Sequence, residues 1–206
     1  MSGAPGVSVP AHPTPWRAEL GRKGVHLAST LFPASWALGW VDRPIILAVL
    51  GLGLVIAIGL EVGRRRPGWI RTWFDRGFGW MLRAHEATAL TGATWILAAM
   101  LLAAWILPPA AAIAALWAAV VGDASAALVG RVVAARSAAR GKTWAGSLAC
   151  VVASAAGPIL LVGASLPAAL GIGVAAALAE RPRHWIDDNA RVTVAAGLAA
   201  WLLLGR

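Results

Sequence analysis

Asp123 lies in the apolar run WAAVVGDASAALVG, residues 117–130. A carboxylate in the middle of a membrane helix costs roughly 2.5–3.5 kcal/mol on insertion scales, so such a group faces a partner, a polar cavity or a bound ion. Its neighbours Gly122, Ala124, Ser125, Ala126 and Ala127 are small. Small side chains let a ligand, a metal or another helix approach the backbone closely. The plainer alternative is a polar packing residue satisfied by a nearby Ser or Arg.

Four further clusters could join it. In ELGRKGVHLA, residues 19–28, Arg22 and His26 are four apart and share a helical face. In RAHEATALTGAT, residues 83–94, Arg83 and Glu86 stand at the mouth of an apolar segment. GKTWAGS, residues 141–147, is a glycine-flanked Lys-Thr loop. ERPRHWIDDN, residues 180–189, ends in two adjacent carboxylates and an amide. Carboxylates among so many Arg and Lys suit a metal-bound polyphosphate. Mg²⁺ takes a few carboxylates plus phosphate oxygens, and the cations neutralise the remaining charge. Ordinary ion pairs beneath anionic headgroups would explain much of the same pattern.

Other chemistries are excluded or weakened. RSAARGKT imitates a P-loop, but Arg136 stands where glycine is required and no strand precedes it. His12, His26, His85 and His184 are scattered, without zinc-site spacing. The single cysteine, Cys150, excludes an intrachain disulfide and reads as a small core residue. No Ser-His-Asp or Cys-His arrangement follows from spacing.

The elements that position these residues are apolar. The 206 residues are 59% hydrophobic and 13% charged, which fits an integral membrane protein of all-α class. Residues 1–18 read as a flexible tail, without the pattern of a cleaved signal peptide, and 19–206 as one membrane domain. Seven spans are expected, at 25–41, 43–62, 88–107, 109–131, 146–164, 166–180 and 190–205. Proline-marked connections at 108–109 and 165–167 separate neighbouring spans. With seven spans, all 18 Lys and Arg except Arg43 and Arg206 fall on one face. That bias makes the face cytoplasmic and the protein a multi-pass protein of the inner membrane. The net charge of +9 is then a membrane signal, and no nucleic-acid partner is expected. Residues 69–81, with Trp69, Ile70, Trp73, Phe74, Trp80 and Met81 near helical spacing, suggest an amphipathic helix in the interface. Anchoring is its favoured role, with lipid gating as the alternative.

The ordered set RKGVH, E-ATALTGAT, GDASAALVG, GKTWAGS and IDDN resembles the membrane lipid kinases that include dolichol kinase, phytol kinase and the CTP-dependent diacylglycerol kinase of yeast. The resemblance runs from Glu19 to about Gly197. It implies a multi-pass enzyme moving the γ-phosphate of CTP to a lipid hydroxyl with Mg²⁺. The chain is also distantly similar to phosphatidate cytidylyltransferases. One departure stands out. The family's Lys-Thr/Ser loop continues Glu-Gly-Ser, and here it reads Ala145-Gly146-Ser147. Glu86 and Asp187 are the candidates to replace that glutamate.

Phosphoryl transfer is mostly positioning and charge stabilisation. On this reading Asp123 is a Mg²⁺ ligand or the base for the lipid hydroxyl, and Asp187 and Asp188 are metal or nucleotide ligands. Asn189 is their hydrogen-bonding partner. Arg22, Lys23 and Lys142 contact phosphate, and His26 and Glu86 support the site. Gly122 admits close approach, while Thr143, Gly146 and Ser147 present amides and hydroxyls. The acceptor is a polyprenol-like or phytol-like alcohol, with diacylglycerol as the alternative. A small transporter or scaffold is the non-enzymatic alternative, disfavoured because charge gathers at one face.

The topology has a direct test. Single cysteines on a Cys150→Ala background at Arg140 and His184 are expected to react with an impermeant reagent only from the cytoplasmic side. Labelling from outside would remove both the topology and the shared site.

Overall fold

The computed structural model describes residues 15–137, 142–181 and 186–205. Most of the expected tail lies outside them, as do His12, Arg140, Gly141, Arg183, His184 and Arg206. The described residues are helical, without a strand: α1 (Trp16–Ala28), α2 (Leu31–Ala37), α3 (Arg43–Arg64), α4 (Trp69–Gly77), α5 (Gly92–Ile106), α6 (Pro109–Trp117), α7 (Asp123–Ser137), α8 (Trp144–Val162), α9 (Leu166–Glu180) and α10 (Asp188–Leu204). Single 3₁₀ turns at Gly79–Met81 and Ala84–Ala87 link α4 to α5, and a π turn at Ala118–Gly122 joins α6 to α7. Helix α1 begins at Trp16, inside the expected tail.

Three helices are long and apolar enough to cross a membrane: Arg43–Arg64, Pro109–Ala135 and Trp144–Val162. Helices α5 and α9 are apolar but shorter, 15 residues each, about 23 Å at 1.5 Å per residue against a hydrocarbon core of about 30 Å. The expected first span, 25–41, is not one helix. It breaks at Ser29–Thr30, where Thr30 Oγ1 donates to the Leu27 carbonyl at 2.6 Å. Pro33 supplies no amide hydrogen and its ring crowds the carbonyl four residues back, so the helix cannot run through. Helix α1 is consequently a separate, mixed-polarity element that buries Glu19 and Lys23.

Helix α6 and the π turn form the centre. Ala112, Ala114, Ala115, Leu116, Ala118, Ala119 and Val120 are fully buried, with α2, α5, α8 and α10 packed around them. Alanine on several faces lets those neighbours come close, which is how helices pack where lipid gives no hydrophobic drive. Glycine does the same on the other side of the contact. A Cβ on Gly122 would fall 2.1 Å from Ser154 Oγ, and one on Gly146 would fall 2.8 Å from the Ala126 carbonyl oxygen.

At one end of the bundle a buried ion pair stitches four segments together. Arg64 Nε donates to Glu61 Oε2 at 2.7 Å, and Arg64 Nη2 donates to the Glu86 and Ala89 carbonyls at 2.8 and 2.7 Å. Its guanidinium also stands 5.6 Å from the centre of the Phe74 ring. Glu61 Oε1 accepts from the Thr91 amide at 2.7 Å. The pair therefore fixes the end of α3, the amphipathic helix α4, the turn at 84–87 and the start of α5. Arg43, at the opposite end of α3 about 32 Å away, donates instead to the Ala104 carbonyl at the end of α5.

Arg64→Met is expected to lower unfolding free energy by about 3–5 kcal/mol, because buried Glu61 would keep only the half-exposed Arg65 at 3.6 Å as its cation and the Glu86 and Ala89 carbonyls would lose their donor. Combining it with Glu61→Gln should recover most of the loss. Denaturation in detergent measures both, and a single variant within about 1 kcal/mol of the parent would contradict the stitching role.

Candidate functional site

The same end of the bundle gathers the charged clusters. Helix α1 carries Lys23 and His26 across to Asp123 at the start of α7. Lys23 Nζ donates to Asp123 Oδ2, and both side chains are about 95% buried. His26 Nε2 lies 3.4 Å from the same carboxylate oxygen and 3.2 Å from the Ala119 carbonyl oxygen. A carbonyl can only accept, so Nε2 carries the hydrogen and Nδ1 remains an acceptor. The π turn makes this meeting possible. A π turn inserts one residue into the helical ladder and shifts the face that follows it. Here it sits directly before Asp123 and offers Ala119 to His26.

A second group forms around the start of α5 and the start of α10. Both Glu86 oxygens are held by backbone amides, Oε1 by Gly92 at 2.9 Å and Oε2 by Arg83 at 2.8 Å. Asp187 caps α10, its Oδ1 accepting from the Asn189 amide at 3.0 Å and from Asn189 Nδ2 at 2.7 Å. Arg83 Nη1 is 4.0 Å from Asp187 Oδ2. A Cβ on Gly92 would stand 3.4 Å from both Glu86 Oε1 and Asn189 Nδ2, and 3.9 Å from Asp187 Oδ2. Glycine thus keeps a notch open between three polar side chains. Asn189 is 5% exposed, and its Oδ1 is buried without a hydrogen-bond partner among the described residues. An orphaned buried acceptor is costly and calls for a donor or cation that the described residues do not supply.

Members of both groups, though not Asp123 or Asp187 themselves, line one cavity of about 310 Å³. Arg22, Lys23, His26, Arg83, Glu86 and Asn189 line its polar end, and Leu60, Phe74, Phe78, Ile96, Leu97 and Met100 are among its apolar walls. Phe74 belongs to the amphipathic helix expected at 69–81. That helix therefore does more than anchor: Trp69 and Trp73 are exposed, while Phe74 is buried against the cavity.

The remaining expected residues are placed differently. Arg22 Nη1 donates to the Met81 carbonyl at 2.7 Å, and Nη2 pairs with Glu19. Lys142 Nζ is engaged by the Glu180 carbonyl, by Glu180 Oε1 at 2.8 Å and by Asp188 Oδ2 at 3.3 Å. It joins the end of α9 to the start of α10. Thr143 Oγ1 accepts from the Gly146 amide at 3.1 Å as the cap of α8, and Ser147 Oγ accepts from Arg181 at 3.3 Å. Gly146 and Gly122 are packing glycines. The GKTWAGS loop thus caps and packs a helix, its glycine Gly141 lying outside the described residues. Sequence reasoning put Arg83 near the site without a role, and gave none to Glu61, Arg64 or Glu180. Glu61 and Arg64 are three apart in α3, a spacing that permits their pairing, but their further partners at 86–91, and Lys142 as the partner of Glu180, come from other segments and leave no local signal.

Among the described residues no three His, Cys, Asp or Glu side chains stand grouped as a preformed metal site. Glu86, Asp187 and Asp188 are the acidic side chains of this region, and Glu86 Oε1 and Oε2, Asp187 Oδ1 and Asp188 Oδ2 already accept hydrogen bonds within the chain. Asp123 is already engaged by Lys23 and His26. Comparison with models of known protein families, with curated proteins and with solved structures found no match.

Burial, with Asp188 beside it as the next cause, raises the Asp187 pKa above its ordinary value. A carboxyl group raised in this way stabilises the fold below its unfolded pKa and loses that contribution as pH rises through the folded one. At neutral pH its charge works against the fold. Asp187→Asn keeps the cap and is expected to raise the melting midpoint at pH 7 by roughly 2–4 °C, with no change at about pH 3, where both side chains are neutral. A lower midpoint at pH 7 would show that the charge is favourably held.

Proposed function

We propose that this protein is a membrane kinase that transfers a phosphoryl group from CTP to the hydroxyl of a lipid alcohol. The observation that carries the reading is the two-ended cavity: cations, carboxylates and an orphaned amide oxygen at one end, apolar walls at the other. That is the shape of a site for an amphiphile whose head undergoes chemistry. The motif resemblance supplies the donor and the reaction class. We place this end of the bundle at the cytoplasmic face of the inner membrane, with the broken segment 25–41 (the end of α1 and α2 together), α5, α9 and α10 completing a seven-span path alongside the three long helices. The basic bias supports that orientation.

In the proposed step the lipid oxygen attacks the γ-phosphorus of CTP. The bond to the β–γ bridging oxygen breaks, CDP leaves, and the hydroxyl proton passes to the Asp123–His26 pair. His26 Nδ1, left as an acceptor by the bonds at Nε2, is the atom that receives it. Lys23, Arg22 and Arg83 hold the phosphates, and Asp123 holds Lys23 and His26 in place. This arrangement favours the proton-transfer role of Asp123 over direct metal ligation. Mg²⁺ would be held by Asp187, Asp188 and Asn189 and would neutralise charge on the transferring phosphate. Glu86, held by two backbone amides and lining the cavity, is the candidate to take the role of the glutamate absent at Ala145. Nucleotidyl transfer onto a lipid phosphate is the second reading, supported by the same cations.

The purified protein with γ-labelled CTP, Mg²⁺ and a panel of lipid alcohols is expected to give a labelled lipid phosphate. Asp123→Asn should reduce turnover at least about a hundredfold per folded molecule, and should also lower stability, because it leaves Lys23 buried without its anion. A product containing a CDP group would select the nucleotidyl-transfer reading. A well-folded Asp123→Asn variant of full activity would remove Asp123 from the chemistry.

A further inference from the structure

The cavity reaches far deeper than its charged end. From Gly92 to Met100 it follows α5 for eight residues, about 12 Å at 1.5 Å per residue. Met100, fully buried, stands at its deep end. On the side away from the bundle its wall is incomplete. Helix α1 packs on the 3₁₀ turn at 79–81, the π turn and α7, rather than closely on α3. Val25 of α1 and Phe78 after α4 both line the cavity and are 62% and 38% exposed. A residue that lines a cavity and is also exposed marks its mouth. Opposite Val25, α3 contributes Ala57, the smallest side chain it could present short of glycine.

We infer that a single hydrocarbon chain enters sideways through the gap between α1 and α3 and lies in this cavity, its polar end at Arg83 and Asn189. This rests on the lipid-kinase reading for the identity of the head, but the tail site stands on its own geometry. The mouth opens on an apolar surface formed by Val25 and the exposed α3 residues Val55, Ile56 and Ile58, so the occupant comes from the bilayer rather than from water. The cations at the charged end, Arg22, Lys23 and Arg83, suit a head that is, or becomes, anionic. The volume is at the small end of the roughly 300–1,000 Å³ of ligand pockets, which suits one chain and disfavours a two-chain glycerolipid. Ala57 sets the width of the entrance, and Met100 with Leu97 sets the depth reached before the chain turns back into the bilayer.

The test uses the full chain in phosphatidylcholine vesicles and a photoactivatable isoprenoid alcohol. Labelled peptides are mapped by mass spectrometry. Labelling is expected at Val25, Leu60, Leu97 and Met100, competed by the unlabelled alcohol and only weakly by diacylglycerol. Ala57→Trp should reduce it about tenfold or more, the effect of leaving about two methylenes of the chain unburied. Ala57→Leu, a gentler change, should reduce it by less. Labelling undiminished in both variants, labelling confined to the outer faces of α9 and α10, or equal competition by diacylglycerol would overturn the inference. The readout does not require turnover. Cavity labelling without phosphate transfer would defeat the kinase reading and leave the tail site standing, and transfer without cavity labelling would do the reverse.

Discussion

A charge removed from water must find an opposite charge or a fixed dipole, and this requirement organises one whole end of the molecule. Lys23, Glu61, Arg64, Glu86, Asp123 and Glu180 are all more than 90% buried. None could remain there alone, since an uncompensated ion in an apolar interior costs several kcal/mol. Partners from other segments meet them: Lys23 of α1 by Asp123 of α7, Arg64 of α3 by carbonyls after α4, and Glu180 of α9 by Lys142 before α8. The pairs therefore act as fasteners between helices whose apolar faces would otherwise slide against one another. Van der Waals contact between Ala- and Leu-rich surfaces has little directional content, and a buried ion pair has a great deal.

The fasteners also hold something open. An apolar bundle of alanine-rich helices tends to close on itself, yet a cavity persists between α1, α3, α4 and α5. Its polar end is kept from collapse because Glu86 is fixed by two amides, Asp187 by its own cap, and Gly92 carries no side chain. One of its apolar walls is α4, which Arg64 pins through Phe74. Stability and accessibility here have one source. The network that welds α3 to α4 and α5 also fixes the distance between them.

The π turn before Asp123 connects packing to chemistry. Helix α6 is packed on all sides and cannot rotate to suit the site, because Trp117 Nε1 donates to the Ala153 carbonyl at 2.8 Å and Gly122 is pressed against Ser154. One inserted residue lets α7 take a different azimuth from α6. Asp123 can then face α1 while the preceding residues still face the core. Helical irregularities of this kind cost hydrogen-bond geometry, and they persist where the surrounding packing fixes them.

The residues themselves settled a good deal. Composition alone indicated an all-helical membrane protein, because a chain this apolar satisfies its backbone most simply within helices. Asp123, Lys23, His26, Glu86, Asp187 and Asn189 stood out as chemically capable, since ionisable and amide groups in or beside apolar runs are expensive to keep. The break in the first expected span was written in Pro33, but a hydropathy window averages across a single residue. Other features belonged to the folded chain alone. That Lys142 joins α9 to α10 and that Arg64 pins the turn before α5 depend on residues 22 to 46 positions apart meeting. That Asn189 Oδ1 lacks a partner depends on everything packed around it. Local sequence fixes the period and polarity of each helix. Which helix ends meet is decided by the simultaneous packing of every helix, a constraint that no single segment contains.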